Sequence, residues 1–113
     1  MPKTKVNAIE LHYEVTGTGK PLVLISGLGY PLWQWHKMEP ILAKHFQVIT
    51  FDNRGVGQSD KPAGPYSAQM LAADTVALLD ALDIDQAIVM GHSMGGFIAQ
   101  AIALDYPDRV SGL

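Results

Sequence analysis

Ala87-Ile88-Val89-Met90-Gly91-His92-Ser93-Met94-Gly95-Gly96-Phe97-Ile98-Ala99-Gln100-Ala101-Ile102-Ala103-Leu104 is the stretch that decides the fold. Its first four residues are a short apolar run of the kind buried on both faces of a parallel sheet. Gly96 to Leu104 reads as a helix, which Pro107 ends. Gly91-His92-Ser93-Met94-Gly95 lies between, so the chain must turn sharply from strand to helix with a serine at the tip. Gly91 and Gly95 suit such a turn, because a β-carbon at either position would collide with neighbouring backbone. Ser93 is therefore a candidate nucleophile. A serine hydroxyl needs a base to take its proton and donors to hold the oxyanion that forms. The backbone N–H of Met94 is one candidate donor. First-turn N–H groups lack intrahelical acceptors, and the helix dipole turns its positive end toward them.

Working outward, Leu22-Val23-Leu24-Ile25 and Val48-Ile49-Thr50-Phe51 are further buried strands. Ile9, Leu11, Tyr13 and Val15 alternate with Glu10, His12 and Glu14. This pattern predicts a half-buried strand with His12 on its polar face, antiparallel to a short strand near Thr4 to Val6. Trp33 to His45 reads as helical, begun or kinked at Pro40, with Trp33 and Trp35 packing that helix. Ser67 caps an amphipathic helix over Met70 to Leu82, whose polar marks are Asp74 and Asp80. The helix after Ser93 is apolar all round, which predicts burial on most sides. Val110-Ser111-Gly112-Leu113 begins one more strand. The order is β-β-β-α-β-α-β-α-β. It implies an α/β fold, a mostly parallel sheet with helices on both faces. The loop after the third strand, Ser26-Gly27-Leu28-Gly29, is where a second oxyanion donor belongs, the N–H of Leu28. Asp52 and Arg54, in a loop rich in Gly, Pro, Asp and Ser, are expected to brace that loop through hydrogen bonds.

The bulk properties narrow the function. The chain has 113 residues and is 48% hydrophobic, enough for one domain with a real core. A net charge of -3 and the lack of a basic stripe argue against nucleic acid. There are no cysteines, so disulfides and thiolate metal sites are excluded. No apolar signal core or membrane-spanning run occurs, so the expectation is a soluble, cytoplasmic protein with no membrane partner. A dinucleotide fingerprint fails because Asp60 stands where Gly55-Val56-Gly57 would need a third glycine. Gly19-Lys20 is followed by Pro21 and lacks the earlier glycine of a phosphate loop.

Three motifs taken together make the chain similar to the N-terminal half of an α/β-hydrolase-fold enzyme. They are Gly91-His92-Ser93-Met94-Gly95-Gly96, Ser26-Gly27-Leu28-Gly29, and Asp52-Asn53-Arg54-Gly55-Val56-Gly57-Gln58-Ser59, in the family's order. Ser26 departs from the pattern, since many members carry histidine there. The resemblance implies a serine hydrolase acting on an ester, lactone or thioester, with a small-molecule acyl substrate and no cofactor or metal. Ser93 is then the nucleophile, Leu28 and Met94 supply the oxyanion hole, and Gly91 and Gly95 shape the turn. Dehalogenases and epoxide hydrolases of this fold use an aspartate at the turn, which Ser93 argues against. Cofactor-free haloperoxidases, acyltransferases and carbon–carbon hydrolases share the serine. The rival class is a non-catalytic truncated or binding protein.

In this fold the acid and then the histidine follow the nucleophile in sequence. No histidine follows Ser93, and Asp105 and Asp108 sit at the end of its own helix, pointing away from the turn. His92 is expected to pack or hydrogen-bond beneath the turn rather than act as base. His12, His36 and His45 read as surface or satisfied residues, with His36 near the pocket mouth. The expectation is that residues 1–113 are the N-terminal part of one α/β-hydrolase domain, cut in its sixth strand. The lid, acid and histidine would lie outside it. Alone it would be inactive, with the strand at Ala87 left as an apolar edge open to self-association.

Overall fold

The computed structural model describes residues 3–27, 29–61, 64 and 66–113. The strands are β1 (Lys3–Val6), β2 (Ile9–Thr16), β3 (Lys20–Ile25), β4 (Phe46–Phe51), β5 (Ala87–Gly91) and β6 (Val110–Gly112). The helices are α1 (Glu39–Leu42), α2 (Ala68–Ala81) and α3 (Met94–Asp105), with 3₁₀ turns at Leu32–Trp35 and Pro107–Arg109. Among the described residues the strands make one six-stranded sheet in the order β1-β2-β4-β3-β5-β6. β1, β2 and β4 pair antiparallel, whereas β4, β3, β5 and β6 run parallel. Asn7 and Ala8 join β1 to β2 with φ of 47° and 68°, the mirror-image turn that matches strand twist in a two-residue hairpin.

Alternation along the central strands sorts the core onto two faces. Val23, Ile25, Ile49, Phe51 and Val89 face α2 and α3, meeting Leu78, Leu79, Ile98 and Ile102. Leu22, Leu24 and Val48 face the other way and pack with Trp35. The expected α/β architecture with helices on both faces is what forms. β3 is adjacent to β5 in the sheet, and the chain leaves β3 toward β4 on one side and β5 toward β6 on the other, so the connections diverge between β3 and β5. The crevice outside the carboxyl ends of strands at such a switch point is where ligands bind in open α/β sheets. Here that crevice is bordered by Ser26, Asp52 and His92.

Several local expectations change in the folded chain. The helix expected over Trp33 to His45 divides into the 3₁₀ turn and the four-residue α1, with Pro40 in the first turn of α1 where its missing N–H is harmless. The two tryptophans part company. Trp35 is buried, while Trp33 is 65% exposed and stacks on His36 with ring centroids 3.9 Å apart. α3 buries Ile98, Ala99, Ala101 and Ile102, but Phe97 and Leu104 on its outer side are 68% and 81% exposed. β5 is not an edge, because β6 pairs beyond it through Ala87↔Val110 and Ile88↔Gly112. Ser67 caps α2 as expected, accepting from the Met70 N–H at 3.1 Å. Among the described residues no helix is long and apolar enough to cross a membrane.

Asp74 is not a solvent-facing mark of α2. It is 1% exposed and receives Arg54 Nε at 2.6 Å, Arg54 Nη2 at 2.8 Å and Asn7 Nδ2 at 3.0 Å. The hydrogen bonds that Arg54 donates to Asp74 raise the Arg54 pKa above its usual value, and partial burial opposes the rise. This bidentate pair ties the loop after β4 to α2. Replacing Arg54 by Met would leave the Asp74 carboxylate buried with only the Asn7 amide. The expected loss is about 3 kcal/mol, read as a lower urea midpoint at unchanged m-value.

Candidate active site

The turn after β5 is held by three backbone hydrogen bonds. The His92 N–H donates to Ile25 O at 3.2 Å, Gly95 N–H to His92 O at 2.9 Å, and Gly96 N–H to Ser93 O at 2.9 Å. These draw the start of α3 onto the end of β3. A β-carbon on Gly95 would meet the Ile25 carbonyl and lie 3.0 Å from Ser26 O, and one on Gly91 would meet the Gly95 carbonyl. No side chain fits either place. Between these glycines Ser93 takes φ 58° and ψ -118°, a conformation that costs a non-glycine residue about 1–3 kcal/mol. Its side chain is exposed, and among the described residues its hydroxyl makes no hydrogen bond. Met94 opens α3 just behind it. The Met94 N–H has no intrahelical acceptor and no other backbone partner among the described residues.

The loop after β3 abuts this turn. A β-carbon on Gly27 would sit 3.3 Å from His92 O and 3.5 Å from the Ser93 β-carbon. Gly27 O accepts from the Tyr30 N–H at 3.1 Å, and its own N–H donates to Gln34 Oε1 at 2.9 Å. Buried Ser26 accepts from Trp35 Nε1 at 3.1 Å and donates to Pro31 O at 3.3 Å. The serine that departs from the family pattern thus fastens the loop to the 3₁₀ turn. Leu28, the second expected oxyanion donor, lies outside the described residues.

The loop after β4 is anchored by Asp52, 1% exposed. Its carboxylate accepts from Leu32 N–H at 2.6 Å and Gln58 N–H at 2.9 Å, and Oδ2 pairs with His12 Nδ1 at 2.8 Å. His12 is therefore not on a polar face. It is 2% exposed and covered by the loop, with Ser59 Oγ accepting from its backbone N–H at 2.8 Å. Asp52 and Arg54 both brace the loop, as their chemistry led one to expect. A cavity of about 300 Å³ opens beside Met94, lined also by Gly29, Asn53, Arg54, Gly55 and Tyr66. Asn53 in its wall is 2% exposed, and among the described residues neither of its amide atoms has a hydrogen-bond partner.

His92 does not turn toward the serine hydroxyl. Its Nδ1 lies 2.7 Å from Gln34 Nε2. Asp108 and Asp105 are exposed at the far end of α3, and Asp108 O accepts from Gln86. His36 is exposed and stacked on Trp33. Among the described residues no group of three or more His, Cys, Asp and Glu is placed to hold a metal ion. The sequence assigns no role to Gln34 or to Asn53 within its motif, and marks Asp74 only as a polar position of its helix. Each matters through partners remote in sequence or through burial, and no local pattern signals either.

A family model of the alpha/beta hydrolase fold matches residues 20–113. The chain belongs to that family. It is 44% identical over 105 residues to a Mycobacterium tuberculosis protein provisionally named non-heme bromoperoxidase BpoC, covering 91% of this chain and 40% of that protein. It is 37% identical to a soluble epoxide hydrolase of a Corynebacterium species, covering 96% of this chain and 38% of the relative. The solved enol-lactonase of Burkholderia xenovorans superposes with a TM-score of 0.93 at 39% identity, over 96% of this chain and 44% of that one. The chain thus spans about two-fifths of the length of the relatives it matches.

The backbone strain at Ser93 leads to a prediction. Glycine adopts φ 58° without penalty, so Ser93→Gly should raise stability by about 1 kcal/mol after its larger chain entropy is discounted. Thermal melts of the two proteins side by side measure this, and an unchanged or lower midpoint would contradict the strain.

Proposed function

We propose that Ser93 is the nucleophile of a serine hydrolase acting on a small-molecule ester, lactone or thioester. The observation that carries this is the exposed Ser93 hydroxyl on a strained turn, immediately before an N–H at the start of α3 that has no backbone acceptor among the described residues. The hydroxyl attacks the acyl carbonyl. The carbonyl oxygen becomes an oxyanion held by the N–H groups of Met94 and Leu28. Its collapse breaks the acyl C–O or C–S bond, and the leaving alkoxide, enolate or thiolate takes the proton that the base removed from Ser93. Water then cleaves the acyl-serine to the acid and restores the hydroxyl. The cavity beside Met94, with Leu71 and Tyr66 in its wall, suits an apolar acyl or alcohol group. The lactone-acting structural neighbour is consistent with this choice, and the serine in place of aspartate favours acyl transfer over epoxide opening.

The base that takes the serine proton and the acid that orients it come, in this reading, from sequence outside these 113 residues. His92 is already engaged by Gln34, and the relatives are more than twice as long. Without a base, turnover drops by roughly 10⁶, leaving what the oxyanion donors supply.

The test is covalent labelling by a fluorophosphonate of the polypeptide encoded by the whole reading frame. Rapid labelling that vanishes in Ser93→Ala is the expected result, with the 113-residue chain labelled orders of magnitude more slowly. Labelling of the whole protein that persists in Ser93→Ala would refute the assignment.

A further inference from the structure

We propose that Gln34 is a positioning residue that clamps the loop after β3 onto the serine turn and fixes the protonation pattern of His92. The proposal rests on the reading of Ser93 as the nucleophile. Gln34 belongs to the 3₁₀ turn Leu32–Trp35, and its side chain bridges two segments 65 residues apart in sequence (Gly27 and His92). Oε1 accepts the Gly27 N–H at 2.9 Å, and Nε2 meets His92 Nδ1 at 2.7 Å.

The chemistry of the groups settles which atom is which. A backbone N–H only donates, so the amide oxygen must face Gly27. The amide nitrogen then faces His92, and it too only donates. Nδ1 must therefore present a lone pair, and the ring proton resides on Nε2. The reversed amide would set donor against donor at Gly27.

Both clamped residues adjoin the reacting groups. Gly27 precedes Leu28, and His92 precedes Ser93. The platform under the clamp is itself held, by Trp35 Nε1 on Ser26 Oγ and by the Leu32 N–H on Asp52 Oδ1. On that reading, Gln34 adds a side-chain tie across the gap already closed by the His92 N–H on Ile25 O. It so helps hold the loop proposed to carry one oxyanion donor at a fixed distance from the turn proposed to carry the nucleophile and the other. A displacement of about 1 Å there can cost 10²-fold in rate.

The experiment uses the polypeptide of the whole reading frame with ¹⁵N-labelled histidine and glycine. Long-range ¹H–¹⁵N spectra should show His92 as the neutral Nε2–H form. Gln34→Leu should relax that preference, speed hydrogen exchange at the Gly27 amide, and slow fluorophosphonate labelling of Ser93 by roughly 10- to 100-fold. Gln34→Glu, nearly isosteric, keeps the acceptor for Gly27 but turns an oxygen toward His92. It should move a proton onto Nδ1 while leaving Gly27 exchange slow. A wild-type His92 protonated on Nδ1 would overturn the clamp. So would a Gln34→Leu variant that retains the tautomer, the Gly27 exchange rate or the labelling rate. If Ser93→Ala labels like the wild type, the nucleophile assignment fails, while the imidazole and Gly27 signals still decide the clamp.

Discussion

The contact between the first turn of α3 and the carbonyl end of β3 governs the geometry of this molecule. Gly95 rests against the Ile25 carbonyl, and Gly91 rests against Gly95. With both ends so placed, the chain between them closes through a positive φ at Ser93. The strain, about 1–3 kcal/mol, is small beside what surrounds it. Ile25, Val89, Ile98 and Ile102 are each buried to within 1%, and each such side chain contributes roughly 1.5–3 kcal/mol. The core imposes the turn, and the turn exposes the hydroxyl.

Two braced loops frame the serine. Buried Asp52 distributes its carboxylate over two backbone N–H groups and His12, so its charge is met by donors from the strand β2, the 3₁₀ turn and its own loop. Arg54 and Asp74 tie the same loop to α2. A lone buried carboxylate would be costly, and hydrogen-bonded partners offset that cost. The loop after β3 is fastened by neutral groups instead, through Ser26, Trp35 and Gln34. Rigid supports of this kind are what a reaction center needs, since donors that must reorganise during the reaction stabilise its charge less.

The two faces of α3 show how far composition alone carries. The inner face, with Ile98 and Ile102, is fully buried, while Phe97 and Leu104 stand in the open. An all-apolar helix identifies itself as a packing element but does not say which faces are covered. Pairing has the same limit. β6 reaches only Ala87 and Ile88 of β5, leaving Met90 37% exposed.

What the sequence by itself determined was local. The period of the apolar residues located the strands and α2, Ser67 marked a helix start, and the glycines around Ser93 marked a turn too tight for side chains. Each of these depends on neighbours a few residues away, where backbone sterics and hydrogen-bonding reach act directly. Tertiary structure decided the rest. His12 reads as a polar-face residue until a loop 40 residues later covers it with Asp52. Asp74 reads as solvent-facing until Arg54, 20 residues earlier, reaches it. Trp33 and Trp35 are alike in sequence, and only the placement of the 3₁₀ turn against the sheet buries one and exposes the other. Gln34 carries no signal at all, because its two partners come together only when β3 and β5 pair side by side.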